Sequence, residues 1–175
     1  CFVKPDGSGS SLGISKVKAP HELPTALDKA FAEDTTVMCE GFVEGRELTC
    51  GVIRLHGRVQ ALPVCEIRTS SEFFDYHAKY HASDTQELIP APIPDAITQI
   101  VQERSAAIYT ALKCNGMVRV DHIWTAPGET ENDVVTIEVN TTPGFSPASI
   151  FPKMLNAAGI GVPSAINGLV QGLLQ

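Results

Sequence analysis

The sequence predicts an α+β fold of mostly antiparallel sheets with flanking helices. Three observations predict it. Short apolar runs recur in pairs, and one pair is joined by the tight turn His56-Gly57-Arg58, which is a hairpin signature. Two longer segments, 20–33 and 95–114, instead place apolar residues at helical spacing. The order is strand, loop, strand, helix, three strands, helix, two strands, two helices. That order groups strands together and does not alternate them singly with helices.

Taken along the chain, residues 1–4 form a short strand ending in Lys4-Pro5. Residues 6–13 are a flexible polar loop, and 14–17 return as its hairpin partner. In the segment 20–33, Leu23, Ala26, Leu27, Ala30 and Phe31 fall on one helical face, while Pro20 and Pro24 confine the first turn. Residues 36–40 are a β-rich run. Residues 47–55 are a longer strand, with 59–67 as its hairpin partner. Residues 68–85 are polar and irregular, with Phe73, Phe74, Tyr76 and Tyr80; loops of this length inside a compact domain are uncommon and often functional. Pro90, Pro92 and Pro94 lead stiffly into the helix 95–114. Its apolar face is Ile97, Ile100, Val101, Ala107, Ile108, Ala111 and Leu112, and Gly116 sits where a terminator belongs. Residues 117–124 and 134–139 are two more strands. A Thr/Pro/Gly/Ser loop at 140–148 and short helices at 148–157 and 163–173 close the chain.

Composition bounds the function. The chain has 175 residues, 43% of them hydrophobic, enough for a core. The net charge of −7 argues against a nucleic-acid partner. No apolar run approaches the ~18 residues of a membrane span, and no signal stretch opens the chain. The five cysteines are scattered, with no C-x-x-C. That pattern predicts reduced thiols in a cytoplasmic protein and disfavours zinc; Cys39, Cys50 and Cys114 read as core positions. The chain begins without Met, with Cys1-Phe2-Val3 already strand-like, so it reads as the C-terminal portion of a longer protein.

Five constellations can carry chemistry. Gly7, Gly9, Ser10, Ser11 and Gly13 follow Lys4-Pro5; such a hairpin tip exposes backbone N–H groups to phosphates, or is simply a flexible hairpin. Arg119-x-Asp121 and Glu138-x-Asn140 lie on consecutive strands, and period-two spacing puts each pair on one face. If those strands pair, Asp121, Glu138 and Asn140 converge as hard oxygen ligands suited to Mg²⁺, with Arg119 beside them for a phosphoryl group or oxyanion. The alternative is a solvated face with cross-strand ion pairs. The stretch 140–149 joins a Gly-bearing loop to a Ser-led helix start, an anion site or an ordinary cap. Asp75-Tyr76-His77-Ala78-Lys79-Tyr80 offers a Lys and a Tyr on a long loop, or a packed aromatic cluster. Glu40 and Glu47 flank Gly41 to Arg46 at a strand end that can read a nucleoside, though two glutamates at this spacing arise by chance. No G-x-S-x-G elbow supports a hydrolase, and His122 must face away from Asp121 as a packed or surface side chain.

In this order the pieces resemble the D-alanine–D-alanine ligase family of the ATP-grasp superfamily. The matching stretches are Val3-Lys4-Pro5 with 9–17, Glu44-Gly45-Arg46-Glu47, 74–80, Arg119-Val120-Asp121 and 138–145. The resemblance implies an ATP-grasp fold lacking its N-terminal substrate domain, with 1–46 the second part of the central lobe and 47–175 the C-terminal lobe. It implies ATP-dependent joining of two D-alanines through an acyl phosphate, for peptidoglycan precursor synthesis, with the piece inactive alone. Lys4 would contact the ATP phosphates, Glu40 and Val43 the adenine, and Glu47 the ribose. Ser10 and Ser11 would lie in the small loop over phosphates and substrate. Lys79 would approach the γ-phosphate, with Tyr80 beside it in the large closing loop. Asp121, Glu138 and Asn140 would hold Mg²⁺, or Mn²⁺ in its place. Arg119 and the Gly144 N–H would stabilise the tetrahedral intermediate, and Ser149 and the Ile150 N–H would take the second substrate's carboxylate. The implied partners are D-alanine, the N-terminal domain of the same protein and a second copy in a homodimer. Two other readings fit the same residues: an ATP-grasp ligase with a different acceptor, and a non-catalytic nucleotide-binding remnant.

Overall fold

A computed structural model describes residues 1–7, 12–68, 85–125 and 127–173. Two compact units divide them. Cys1–Val43 fall in the first, and Glu44–Arg68 with the residues from Gln86 onward form the second.

In the first unit β1 (Phe2–Pro5) is the middle strand of an antiparallel sheet, between β2 (Ser15–Lys16) and β3 (Val37–Glu40). Phe2 pairs with Lys16 on one side and Glu40 on the other. Helix α1 (Leu23–Phe31) follows a 3-10 turn at Pro20–Glu22, with a proline in its first turn, where the missing N–H costs nothing. Ala26 and Ala30 bury against Val3 and Val17, with Leu23, Leu27 and Val37 packed around them. The expected face is thus present but narrower. Its small residues make the contact, and Phe31, on the flank of the stripe, is 53% exposed.

In the second unit β4 (Arg46–Leu55) is the spine of an antiparallel sheet ordered β7-β6-β4-β8-β9, with β5 also paired to β4. The expected single strand at 59–67 is two strands, β5 (Arg58–Ala61) and β6 (Cys65–Arg68). Both pair with β4, from Val52↔Ala61 to Thr49↔Cys65, and the break falls at Pro63, which has no N–H to give a ladder. The edge strand β7 (Gln86–Leu88) pairs with β6 and was not expected. Its Gln-Glu-Leu sequence carries no strand signal. Strands β8 (Met117–Trp124) and β9 (Val134–Asn140) fall where the sequence puts them.

Helix α2 (Asp95–Ala111) ends before 114, and Lys113 and Gly116 take positive φ as the chain turns back. Its buried line is Ile97, Val101, Ser105 and Tyr109. Ala107, Ala111 and Leu112, expected in the face, are exposed. Two polar residues replace them because their groups find partners: Ser105 Oγ donates to Val101 O at 2.7 Å, and Tyr109 Oη to Gly116 O at 3.1 Å. This line covers Leu48, Cys50 and Trp124 at one end and Val52, Val118 and Val120 at the other. The opposite sheet face takes α3 (Ile150–Ala157) and α4 (Val162–Leu173). Gly51 admits α3: a Cβ there would stand 2.9 Å from Phe151 Cε2 and 3.1 Å from Met154 Cε. Antiparallel sheets with flanking helices are the fold class expected. All five cysteines are free thiols. Burial pushes the Cys50 and Cys65 thiols up to about 12, whereas Cys39 is exposed, not core, and Cys114 only half-buried.

Candidate functional site

In the second unit, side-chain alternation and register place the polar residues. Thr49 pairs with Asp121, Asp121 with Glu138, and Arg119 with Asn140. Side chains of paired residues share a face, and Glu47 lies two residues before Thr49. Glu47, Thr49, Arg119, Asp121, Glu138 and Asn140 therefore occupy the face opposite α2, with Arg119 paired to Gly51, on which Phe151 and Met154 pack.

That arrangement depends on a bulge in β9. Val134 and Thr136 pair with Trp124 and His122 on the α2 side. Strict alternation would turn Glu138 and Asn140 to the same side. Instead the register shifts between Asp121 and His122, and Ile137 is the extra residue. Val139 then packs toward Tyr109 and Val120, and Glu138 faces Asp121.

Asp121 is the most constrained group of the set. Arg119 grips it bidentately, Nε to Oδ1 at 2.8 Å and Nη2 to Oδ2 at 2.7 Å, and the buried Thr49 hydroxyl donates to Oδ1 at 2.5 Å. Burial by itself would raise the Asp121 carboxyl. The Arg119 fork and charge and the Thr49 donor outweigh it and hold the group below its ordinary range. Burial works against the Arg119 cation too, but Asp121, Glu138 and Glu47 hold its pKa above the usual value. Arg119 also stands 3.9 Å from Glu138, whose side chain is 49% exposed. Thr49 is the residue that sequence reasoning missed. Its signal was its position two residues after Glu47 on the same strand.

Behind the face, as expected, His122 is packed. It is fully buried, with Nε2 at 2.9 Å from Ser105 Oγ and Nδ1 at 3.2 Å from Thr136 Oγ1. Burial drives its pKa down to about 4.

Gly144 lies in the loop after β9, where a Cβ would come 2.9 Å from Ser149 Oγ. Ser149 precedes Ile150 as the N-cap of α3, but its hydroxyl does not cap the helix. It turns back to accept from the Ser146 N–H at 3.1 Å and shares a 2.9 Å bond with Ser146 Oγ. A cavity of about 360 Å³ lies at the far end of β4, lined by Arg54, His56, Thr141 and Leu169 among others; it holds none of the expected site residues.

One missed cluster supports the start of β4. Glu66, almost wholly buried, accepts from Arg46 Nε at 2.7 Å and Nη2 at 2.8 Å, with Arg68 at 2.9 Å. Burial would raise the Glu66 carboxyl, but the two guanidinium groups hold it low. Arg46 also lies over the Trp124 ring, 4.9 Å from its centroid, and donates to Pro92 O. Gly45, just before it, passes so close to the Trp124 carbonyl that a Cβ would collide with it.

In the first unit Lys4 Nζ pairs with Glu40 Oε2 at 2.8 Å across β1 and β3. Val43 is half-buried, next to Phe42, whose ring meets Phe2 at 6.0 Å between centroids and carries Lys16 Nζ at 4.2 Å. Ser10, Ser11, Lys79 and Tyr80 lie outside the described residues.

Antiparallel sheets with this helix arrangement are the C-terminal architecture of ATP-grasp ligases, and comparison with known proteins agrees. The structure superposes on the VanG D-Ala:D-Ser ligase of Enterococcus faecalis with a TM-score of 0.84 and 38% identity, over 97% of this chain and 48% of that one. It superposes on the D-alanine–D-alanine ligase of Bacillus anthracis complexed with ATP with a TM-score of 0.76 and 30% identity, over 97% and 50%. The D-alanine–D-alanine ligase of Phocaeicola vulgatus is 38% identical over 171 residues, 98% of this chain and 51% of the relative. A model of the family described as D-ala D-ala ligase C-terminus matches residues 1–171. The chain belongs to the D-alanine–D-alanine ligase family and spans about half the length of the curated relatives it matches.

Proposed function

We propose that this chain is the nucleotide- and metal-binding part of an ATP-dependent ligase that joins two D-alanines into D-alanyl-D-alanine, for peptidoglycan precursor synthesis in the cytoplasm. The observation that carries the proposal is the face on which Arg119, Asp121, Glu138 and Asn140 stand in register. In this reading 1–46 belong to the central lobe and 47–175 form the C-terminal lobe. An N-terminal domain completes the enzyme, which pairs as a homodimer, and the chain alone does not turn over.

Two carboxylates at paired positions on neighbouring strands, with an amide oxygen two residues on, are a hard-oxygen donor set that fits Mg²⁺ or Mn²⁺. Asp121, Glu138 and Asn140 would hold it. A metal held by these three residues would supply neutralisation of phosphate-oxygen charge. A carboxylate oxygen of the first D-alanine attacks the γ-phosphorus, the bond to the β,γ-bridging oxygen breaks, and ADP leaves an acyl phosphate. The amine of the second D-alanine then attacks the acyl carbon, loses a proton, and inorganic phosphate departs. Arg119 and the Gly144 N–H stabilise the oxyanion of that addition, a contribution of electrostatics and positioning. Ser149 and the Ile150 N–H hold the acceptor's carboxylate. Lys4, Ser10, Ser11 and Lys79 serve the phosphates, Tyr80 closes over the reacting groups, Glu47 takes the ribose, and Glu40 and Val43 the adenine.

The test is ADP release by the full-length protein with MgATP, with and without D-alanine. Glu138→Gln and Asn140→Ala should each lower D-alanine-dependent turnover by about a hundredfold at unchanged Tm. Unchanged turnover in both overturns the metal assignment. A second reading, D-serine as acceptor, is favoured by one observation, the likeness to the D-Ala:D-Ser ligase. Product analysis with both amino acids present decides between them.

A further inference from the structure

A carboxylate offers about four lone-pair directions, and the donors around it decide which of them stays open to a ligand. At Asp121 the donors are shared unequally. Oδ1 receives two, the Thr49 hydroxyl at 2.5 Å and Arg119 Nε at 2.8 Å. Oδ2 receives one, Arg119 Nη2 at 2.7 Å. Oδ1 is thereby filled, and Oδ2 keeps a lone pair. Glu138, the register partner of Asp121, brings a second carboxyl group to hydrogen-bonding distance. When both are ionised neither can donate to the other, and a cation between them satisfies both.

The two residues that donate to Oδ1 differ in how firmly they are held. Arg119 reaches Asp121 from two residues away on the same strand, through a long side chain that also stands 3.9 Å from Glu138 and serves the oxyanion in the reaction above. Thr49 stands on β4, paired on both sides, with Cys65 of β6 and with Asp121 itself. It is fully buried, and its β-branched side chain is stiff. Its hydroxyl has one proton and two acceptors in range. Val120 O lies at 3.5 Å, the limit of a hydrogen bond, and Asp121 Oδ1 at 2.5 Å, so the proton goes to Asp121. Thr49 is therefore the donor to Oδ1 that the sheet itself fixes in place.

We propose that Thr49 is a positioning residue, whose hydroxyl occupies Oδ1 of Asp121 and so leaves Oδ2 to the divalent cation that Asp121, Glu138 and Asn140 would hold. The inference rests on the metal reading given above. Thr49 takes no ligand position itself and acts through the Asp121 carboxylate alone.

The test is Mn²⁺ binding, followed by electron paramagnetic resonance in the full-length protein with a non-hydrolysable ATP analogue. Thr49→Val keeps the shape and the β-branch and removes the donor; Thr49→Ser keeps the donor and removes a methyl; Thr49→Ala removes both. The Val and Ala variants should each bind Mn²⁺ about tenfold more weakly, as changes behind metal ligands do, and the Ser variant should match the unaltered protein. A purely packing role for this residue predicts the reverse order, with Val better than Ser. Equal affinities for the Val, Ala and Ser variants, or that reverse order, overturn the inference and leave the metal site standing. Glu138→Gln separates the two readings, because it removes a proposed ligand and should weaken Mn²⁺ binding by itself. Undiminished binding in that variant, or no Mn²⁺ binding by the unaltered protein, overturns the metal reading and the inference with it.

Discussion

Acidification should cost this protein stability through a single buried ring. An ordinary imidazole takes its proton near 6.5, whereas burial keeps His122 neutral down to about 4. Between those values the unfolded chain binds a proton that the folded chain refuses, so stability falls as the pH falls through the window. At about 1.4 kcal/mol per pKa unit the whole interval is worth about 3 kcal/mol, of which about 2 kcal/mol is lost between pH 7 and pH 5. The perturbation is His122→Leu. It removes the titrating group while Ser105 keeps its bond to Val101 O. The chain has one tryptophan, Trp124, buried on the same strand, so its fluorescence reports the unfolding of the second unit. Urea curves at pH 7 and pH 5 give four free energies. The variant is less stable at both, but its loss between them should be smaller by about 2 kcal/mol. Equal losses in both proteins would refute the argument, because they would mean that His122 ionises alike in the folded and unfolded states.

Two further outcomes are expected. Glu66→Gln leaves Arg46 and Arg68 without their carboxylate and should destabilise the second unit by about 1–2 kcal/mol in the same urea assay, because the two guanidinium groups left behind reach water. Gly45→Ala sets a methyl against the Trp124 carbonyl, which is backbone and cannot rotate away. It should cost about 2 kcal/mol and shift the tryptophan emission, whereas Gly41→Ala, with open space around it and no positive φ, should leave the emission unchanged.

What the sequence made legible depended on whether a residue's role matched its local pattern. Strand β8 alternates half-buried and buried along its whole length, so Arg119 and Asp121 could be assigned a face from spacing alone. Helix α2 was legible as a helix but not by its face. Ser105 and Tyr109 look polar or amphipathic in sequence, and only their bonds to Val101 and Gly116 make them core residues. The bulge was invisible. Glu138-x-Asn140 was assigned a common face, but nothing in Val-Val-Thr-Ile-Glu-Val-Asn says that Ile137 is the extra residue or that without it both groups would point at α2. Thr49 reads as an ordinary β-branched strand residue until Asp121 arrives beside it from β8. Strand β7 carries no intrinsic preference and exists because β6 offers it an edge.

The pairing of β6 with β7 has an evolutionary consequence. Arg68 and Gln86 are cross-strand partners, so their Cα atoms stand about 5 Å apart although seventeen residues of sequence separate them. The β4–β8 pairing that holds Arg119 and Asp121 is set within the sheet, so a change of sequence length between Arg68 and Gln86 that keeps their own pairing leaves it in place. Sequence can therefore change in one place without rewriting the other, and the two can diverge at different rates.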